Sequence, residues 1–479
     1  MQINRLKASF PDNWEVAYFD ILNGGIMKLK NVTARIPSGF LELLPKDQIV
    51  FNNMFEQIRE VFERFGFLPI ETPAVELKEV LLAKGGGETE KQVYRLSAKS
   101  GETDMCLHFD LTVPLARYVV QHMNDLTFPF RRYQMQKVWR GEGAQKGRYR
   151  EFYQCDIDVI GTFNPLTDAE IPSVIYEVFQ QLKIPKFTIK LNNRKFVCGI
   201  FKALCPESLI SGFFRIADKL PKIGKEAGMS ELLALGISEK DTDFLIRMLS
   251  FNGTYSELEI RFPDWKNASQ LVRDGFRELS EVYEGILSFG VPTEYIQIDL
   301  GIVRGLDYYT GSVYETTLDD YPSIGSICSG GRYDDLCGYY TDRVLPGVGI
   351  SIGLSRLFFQ LKDAGLISYQ NLSTASVLVV SAEKSSMPFC METASQLRQA
   401  GINSEIYLEE AKLNKQLKYA DSLGIPFVII IGSSEIESGT ISLKDMSSQI
   451  QENISLEVAI CKIVESSNLP RKDRREYDN

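Results

Sequence analysis

FPFRRYQMQKVWRGEGAQKGRYREFYQCDID, residues Phe128 to Asp158, reads as two strands over 132–138 and 151–160 joined by a polar loop. Alternating or continuous apolar positions on both sides of the loop suit an antiparallel pair built around a site. The loop contains Gly141, Gly143 and Gly147, and long Gly-containing connections between strands usually bind something or flex. The stretch also concentrates cations. Arg131, Arg132, Lys137, Arg140, Lys146, Arg148 and Arg150 face only Glu142 and Glu151 between Phe128 and Phe152, in a chain of net charge −10. Guanidinium groups offer a planar fork matched to phosphate oxygens. The plain alternative is a solvated charged strand pair, but Phe130, Tyr133, Trp139, Tyr149, Phe152 and Tyr153 interleave with the cations. Aromatic faces beside Arg favour a stacked purine and its phosphates.

Working outward, a chain of 479 residues exceeds what one hydrophobic core supports, so two to four domains are expected. No apolar run approaches the roughly 20 residues of a membrane-spanning helix, and the N-terminus lacks a signal or transit pattern. No membrane association and a cytoplasmic location are therefore expected. Eight scattered cysteines without a CxxC pattern, and only His108 and His122 as histidines, give little material for zinc or a Ser/His/Asp triad. The acidic balance argues against a general nucleic-acid coat, while a local basic cleft on an acidic body still suits one specific polyanion.

Upstream, Phe51, Met54, Phe55, Ile58, Val61, Phe62 and Phe65 recur at helical spacing until Gly66. FLPIETPAVE follows, a short strand whose prolines place it at a sheet edge. Residues 107–120 are assigned to another strand. Helical periodicity dominates 193–292, a helical insertion, and sheet-like sequence returns at 295–303. From Ser376, SVLVV, SEIYL and PFVIIIG alternate with helices, implying a separate domain with a parallel sheet. GISIGLSRLFF turns from strand to helix.

FLPIETP, VWRGEGAQKGRYREF and GISIGLSRLF together resemble motifs 1, 2 and 3 of class II aminoacyl-tRNA synthetases. IVRGLDYYTGSVYE and CSGGRYDDL, with LHFDLTVPLARYV and YREFYQCDID, resemble the signatures of the histidyl-tRNA synthetase family, and the match spans most of residues 37–465. The resemblance implies an α+β fold: a six- to seven-stranded antiparallel sheet flanked by helices, a helical insertion and a C-terminal α/β anticodon-binding domain. The expected division is an extension over 1–36, a catalytic domain in two parts (37–192 and 293–370) around the insertion at 193–292, the anticodon-binding domain over 374–465 and a charged tail over 466–479.

The reaction that the resemblance implies joins L-histidine to ATP, with Mg²⁺, and then to tRNA(His), in a homodimer formed through motif 1. Arg140 and Arg304 would act at the α-phosphate and the histidine carboxylate. Glu142 and Phe152 would fix adenine, and Arg148 and Arg356 the outer phosphates. Asp110, Leu111, Thr112 and Gln154 would surround the histidine ammonium, and Asp158, Tyr308 and Tyr309 its imidazole. Three positions depart from the family pattern: His108 where many members have Arg, Ser355 where motif 3 usually has Glu, and Gly143 where bacterial members often have a basic residue. The competing reading is the non-catalytic regulatory subunit of ATP phosphoribosyltransferase, which generally lacks the C-terminal domain and an intact RGLDYYTG motif; both are present here.

Overall fold

Pairing of residues 130–139 with 151–160 sorts their side chains onto two faces of one sheet, and the N-terminal two thirds of the protein is organised around that division. The computed structural model describes residues 33–83, 92–97, 104–141, 149–184, 186–303, 308–369 and 372–466. In chain order its first strands are β1 (Leu68–Pro69), β2 (Val75–Leu77), β3 (Arg95–Leu96), β4 (Met105–Leu107), β5 (Phe130–Trp139), β6 (Glu151–Ile160), β7 (Phe187–Asn193), β8 (Asn252–Gly253), β9 (Ile296–Asp299), β10 (Ser312–Leu318), β11 (Ser326–Tyr333) and β12 (Gly347–Ile352). Strands β2, β4 and β3 form a small sheet, while the others form a sheet in the order β1-β5-β6-β12-β11-β10-β7-β9-β8.

The run from β5 to β7 is antiparallel throughout. These six strands are the expected antiparallel sheet, to which β1 adds beside β5 and β9 beside β7 in parallel. These additions are short strands of two and four residues, too brief to leave a periodic trace in the sequence.

On one face, Tyr133, Cys155, Ile157, Val159, Val348 and Ile350 enter the large core. The helix Pro45–Arg64 covers it with Phe51, Met54, Ile58, Val61 and Phe62, all buried. Each such side chain contributes about 1.5–3 kcal/mol by leaving water. Gly66 stops this helix at φ +73°, a left-handed turn that glycine adopts without a Cβ penalty. The helices Arg194–Leu204, Ile210–Ala234, Glu239–Leu249, Tyr255–Arg261 and Gln270–Ser288 extend the same core through Phe196, Phe213, Leu245, Leu258 and Phe276.

The strand expected over 107–120 is corrected. β4 ends at Leu107 and a helix occupies Thr112–Gln121. Val113, Leu115, Ala116 and Val119 are its buried positions, so the apolar run there follows a helical face that packs on the other side of the sheet with Phe130, Ile160 and Tyr333.

The C-terminal domain contains β13 (Val377–Ser381), β14 (Ser404–Ile406), β15 (Phe427–Ile431), β16 (Ile441–Asp445) and β17 (Gln451–Ile454) in the order β14-β13-β15-β16-β17. Its first three strands are parallel, as the alternation with helices implied, but β16 and β17 add antiparallel to the edge. It has apolar clusters on both sheet faces, one around Val377, Val379 and Ile429 and one around Leu378, Val380 and Val428.

Candidate active site

Register decides what the second face of the central sheet presents. Arg132 pairs with Asp158, Gln134 with Asp156 and Gln136 with Gln154 across β5 and β6, while Asp156 and Asp158 lie opposite Ser351 and Gly349 on β12. Directly paired residues share a face, so these polar groups form one layer under the Thr112–Gln121 helix. Arg132, Gln134, Gln154, Asp156 and Asp158 are all buried.

Asp158 is held from two sides. Arg132 Nη2 lies 2.6 Å from its Oδ2, and the Tyr333 hydroxyl donates to its Oδ1. Burial lifts its carboxyl to about 6, against the pull of Arg132 and Tyr333. Gly349 makes this approach feasible: a Cβ there would stand 2.0 Å from Asp158 Oδ1. The same constraint appears at Gly331, where a Cβ would meet the Tyr309 ring at 3.0 Å.

Asp110 receives the Val113 amide on Oδ1 at 3.2 Å. Burial raises its carboxyl to about 6 despite Arg140 and Arg132 nearby. Asp156 is raised further, to about 7, by burial first, with Asp158 and Asp110 adding to the effect and Arg132 and Ser351 opposing it. The Tyr309 phenol, raised by burial, feels Asp158, Asp156 and Asp110 in turn. Tyr308 hydrogen-bonds Thr112, and its ring stands 5.7 Å from that of Tyr333. Leu111 is wholly buried and contributes through its carbonyl, which accepts from Arg132 Nη2 at 3.3 Å. Three acceptors in this group, Asp110 Oδ2, Gln154 Oε1 and Asp156 Oδ1, have no hydrogen-bond partner among the described residues. Buried acceptors of this kind favour a ligand that brings N–H donors and positive charge.

The acidic group adjoins a cleft of about 830 Å³, open to solvent, whose lining includes Arg140, Tyr149, Phe152, Gln154, Ser351 and Arg356. Arg140 is preset by its Nε bond to the Phe109 carbonyl at 2.9 Å, with its guanidinium 5.1 Å above the Phe152 ring. Arg356 is in the first turn of the helix Leu354–Asp363, where the helix dipole also favours anions. One Arg356 Nη2 donates to the Ile324 carbonyl at 3.1 Å. Of the predicted site residues, Glu142, Arg148 and Arg304 lie outside the described residues, as does Gly143.

Several cations of the basic stretch are already paired within the fold. Arg131 makes two bonds to Glu170 at 2.7 and 2.9 Å, Lys137 meets Glu151 at 2.7 Å, and Arg132 serves Asp158. Charge composition counts cations but does not reveal which already have anions in the fold. Arg332 of the SGGRYDD segment is likewise structural: its Nε lies 3.0 Å from both Asp168 oxygens and its Nη1 donates to the Thr162 carbonyl.

Two departures from the family pattern have local answers. Ser355 Oγ accepts the Tyr153 amide at 2.9 Å, just beyond the last β6–β12 pair, Cys155 with Ile352. His108 is buried, with Nε2 2.7 Å from the Lys137 carbonyl and its ring 5.4 Å from Trp139; burial pushes its pKa down. Arg132, Tyr333, Asp156 and Ser351 were missed as site residues. The only sequence signal was the alternation of Gln154, Asp156 and Asp158, and register was needed to identify their partners.

The raised acids give a stability test with a defined sign. A carboxyl whose folded pKa exceeds its unfolded value contributes stability that is present below about pH 4 and lost as pH rises through the folded pKa. For Asp156 that loss ends near pH 7, from its value of about 7. Asp156→Asn removes the ionisation cost, so the ligand-free variant gains in Tm relative to the parent as pH rises from 4 to about 7. A constant difference in thermal melts across that window would contradict the raised Asp156 carboxyl.

Histidyl-tRNA synthetase sequences match residues 39–357 as a family, and the anticodon binding domain family matches residues 375–466. A histidine–tRNA ligase of Clostridium tetani is 50% identical over 443 residues, 92% of this chain and 100% of the relative. One from Stenotrophomonas maltophilia is 47% identical over 88% of this chain and 96% of its own. The crystal structure of histidyl-tRNA synthetase from Nostoc sp. PCC 7120 superimposes with a TM-score of 0.82 at 40% identity, covering 91% of this chain and all of that one. An ATP phosphoribosyltransferase regulatory subunit/histidyl-tRNA synthetase from Bacillus halodurans shares the fold at 22% identity and a TM-score of 0.69. A cleft on the central sheet joined to an anticodon-binding domain defines an aminoacyl-tRNA synthetase. Within that class, the chain belongs to the histidyl-tRNA synthetase family.

Proposed function

We propose that the cleft and the acidic pocket beside it carry out the histidine–tRNA ligase reaction: L-histidine reacts with ATP to give histidyl-adenylate and pyrophosphate, and histidine then passes to the 3′ end of tRNA(His). The supporting observation is the juxtaposition of opposite fields on one sheet face. Arg140 and Arg356 line the open cleft, while Asp110, Asp156 and Asp158 are buried against Arg132.

Both reactants of the first step are anionic where they meet, the histidine carboxylate and the α-phosphate. The carboxylate oxygen bonds to the α-phosphorus and the bond to pyrophosphate breaks, so fixed cations that cancel repulsion matter more than a strong base. Arg140, with Arg304, holds the α-phosphate and the histidine carboxylate. Arg356 and Arg148 hold the outer phosphates, and Phe152 and Glu142 hold adenine. Asp110, Thr112 and Gln154 receive the α-ammonium. Asp158 and Tyr309, with Tyr308 beside them, face the two imidazole nitrogens, which need a partner on each side of the ring. The described cleft lining contains no carboxylate, and no cluster of metal-ligating side chains occurs among the described residues. Mg²⁺, which the resemblance implies, would supply charge neutralisation for the triphosphate when bound.

The regulatory-subunit reading is disfavoured by the identity to histidine–tRNA ligases over nearly the whole chain and by the anticodon domain at residues 375–466. A homodimer through the motif 1 region is supported by Leu68, Val75, Leu77 and Met105, large apolar side chains left exposed around β1 and the small sheet. No described helix is long and apolar enough to cross a membrane, and the cytoplasm is the proposed location.

The domain division is proposed as 37–370 for activation and 374–465 for anticodon reading. Removing residues 374–479 should depress tRNA charging at least about tenfold more than ATP–pyrophosphate exchange, since each tenfold corresponds to one lost contact set of about 1.4 kcal/mol. Equal loss of both activities would overturn the division. The reading as a whole is tested by histidine-dependent exchange.

A further inference from the structure

The acceptor end of Gln154 is unpartnered while its donor end is not. Gln154 Nε2 donates to Ser351 Oγ, whereas Gln154 Oε1 is buried without a partner among the described residues. Ser351 stands directly opposite Asp156 across β6 and β12, and its hydroxyl favours the ionised form of that carboxyl. A hydroxyl has one proton and two lone pairs. If its proton goes to a carboxylate, which only accepts, a lone pair is left for the Gln154 amide N–H. Polarity therefore runs in one direction from Asp156 through Ser351 to Gln154.

We propose that Asp156 and Ser351 are positioning residues that fix the amide of Gln154 with its oxygen toward the substrate, so that it accepts from the α-ammonium of histidine. This rests on the reading above that Gln154 receives the ammonium. Without the relay, the Gln154 amide can turn and present N–H groups, which repel a cation. The strand geometry leaves little freedom for another arrangement: Asp156 lies directly opposite Ser351 on the neighbouring strand, two residues along β6 from Gln154 and on the same face. Burial of Asp156 at 2% exposure makes the hydrogen bond to Ser351 matter more than it would in water. Asp156 Oδ1 is buried without a partner among the described residues, and an arriving ammonium would draw this carboxyl, raised to about 7 without ligand, toward its ionised form.

The relay gives a ligand-specific signature that a general loss of packing would not. Histidinol keeps the ammonium and the imidazole but lacks the carboxylate, whereas 3-(imidazol-4-yl)propionate keeps the carboxylate and the imidazole but lacks the ammonium. Both would be measured as competitors of histidine in ATP–pyrophosphate exchange on the full-length protein. Ser351→Ala should weaken histidinol about tenfold, the scale of one lost hydrogen bond to a charged group, while the desamino acid shifts less than about twofold. Asp156→Ala should show the same selectivity, and Ser351→Thr, which keeps the hydroxyl, should restore histidinol binding. Equal weakening of both competitors, or of neither, in an enzyme that still exchanges with histidine would overturn the relay. Absence of histidine-dependent exchange in the parent protein would instead sink the underlying ligase reading.

Discussion

Arg140→Ala should lower kcat/KM for histidine-dependent ATP–pyrophosphate exchange by about 10² to 10³, the usual effect of removing one preorganised charge from a site where negative charge gathers. Two contacts make this residue preorganised rather than merely present: the Phe109 carbonyl takes its Nε at 2.9 Å, and the Phe152 ring lies 5.1 Å beneath the guanidinium. Neither contact satisfies the outer nitrogens of the fork. Because Arg140 is only half-buried, the fold should tolerate its loss, and the Tm should stay close to that of the parent. Arg140→Lys should recover only part of the rate, since an ammonium cannot reproduce a planar two-pronged contact. An unchanged exchange rate in Arg140→Ala would remove this residue from the chemistry.

Asp158→Ala should fail in two respects that can be measured separately. Removing the carboxylate leaves Arg132, with 0% of its side chain exposed, as a buried charge without its ion partner. Breaking one side of such a pair costs about 3–5 kcal/mol, read as a loss of stability in urea unfolding. Recognition should fall as well, because the Tyr333 hydroxyl and Arg132 no longer hold an acceptor beside Tyr309. Asp158→Asn, which preserves shape and one acceptor oxygen, separates the two effects: much of the stability should return, while the KM for histidine stays at least about tenfold raised. A loss of stability below about 1 kcal/mol in Asp158→Ala would contradict the buried pair.

Most of the architecture was legible because it is written in long periods. The helix Pro45–Arg64 repeats apolar residues over 20 positions, and β6 alternates apolar and polar side chains from Tyr153 to Val159. The motif 2 and motif 3 residues Arg140, Phe152, Gln154 and Arg356 meet at one cleft, as their order along the chain suggested. Short or context-dependent features were not legible. The two-residue β1 carries no period, and the apolar run after β4 fits strand and helix alike until the sheet supplies a surface for it. The same limit hid the acidic pocket. Asp156 and Asp158 look equivalent in QCDID, but cross-strand pairing assigns them different partners, Arg132 and Tyr333 for Asp158, and Ser351 for Asp156. Arg131, Arg132 and Arg140 also look alike as charges; only their contacts with Glu170, Asp158 and Phe109 separate two cations paired within the fold from one that lines the cleft.

The most direct test of the central claim is ATP–pyrophosphate exchange by the purified full-length protein with each of the twenty amino acids in turn. A pocket of three buried carboxylates beside an arginine-lined cleft should support exchange with L-histidine and leave the other nineteen near background. No exchange with any amino acid, or stronger exchange with one other than histidine, would contradict it.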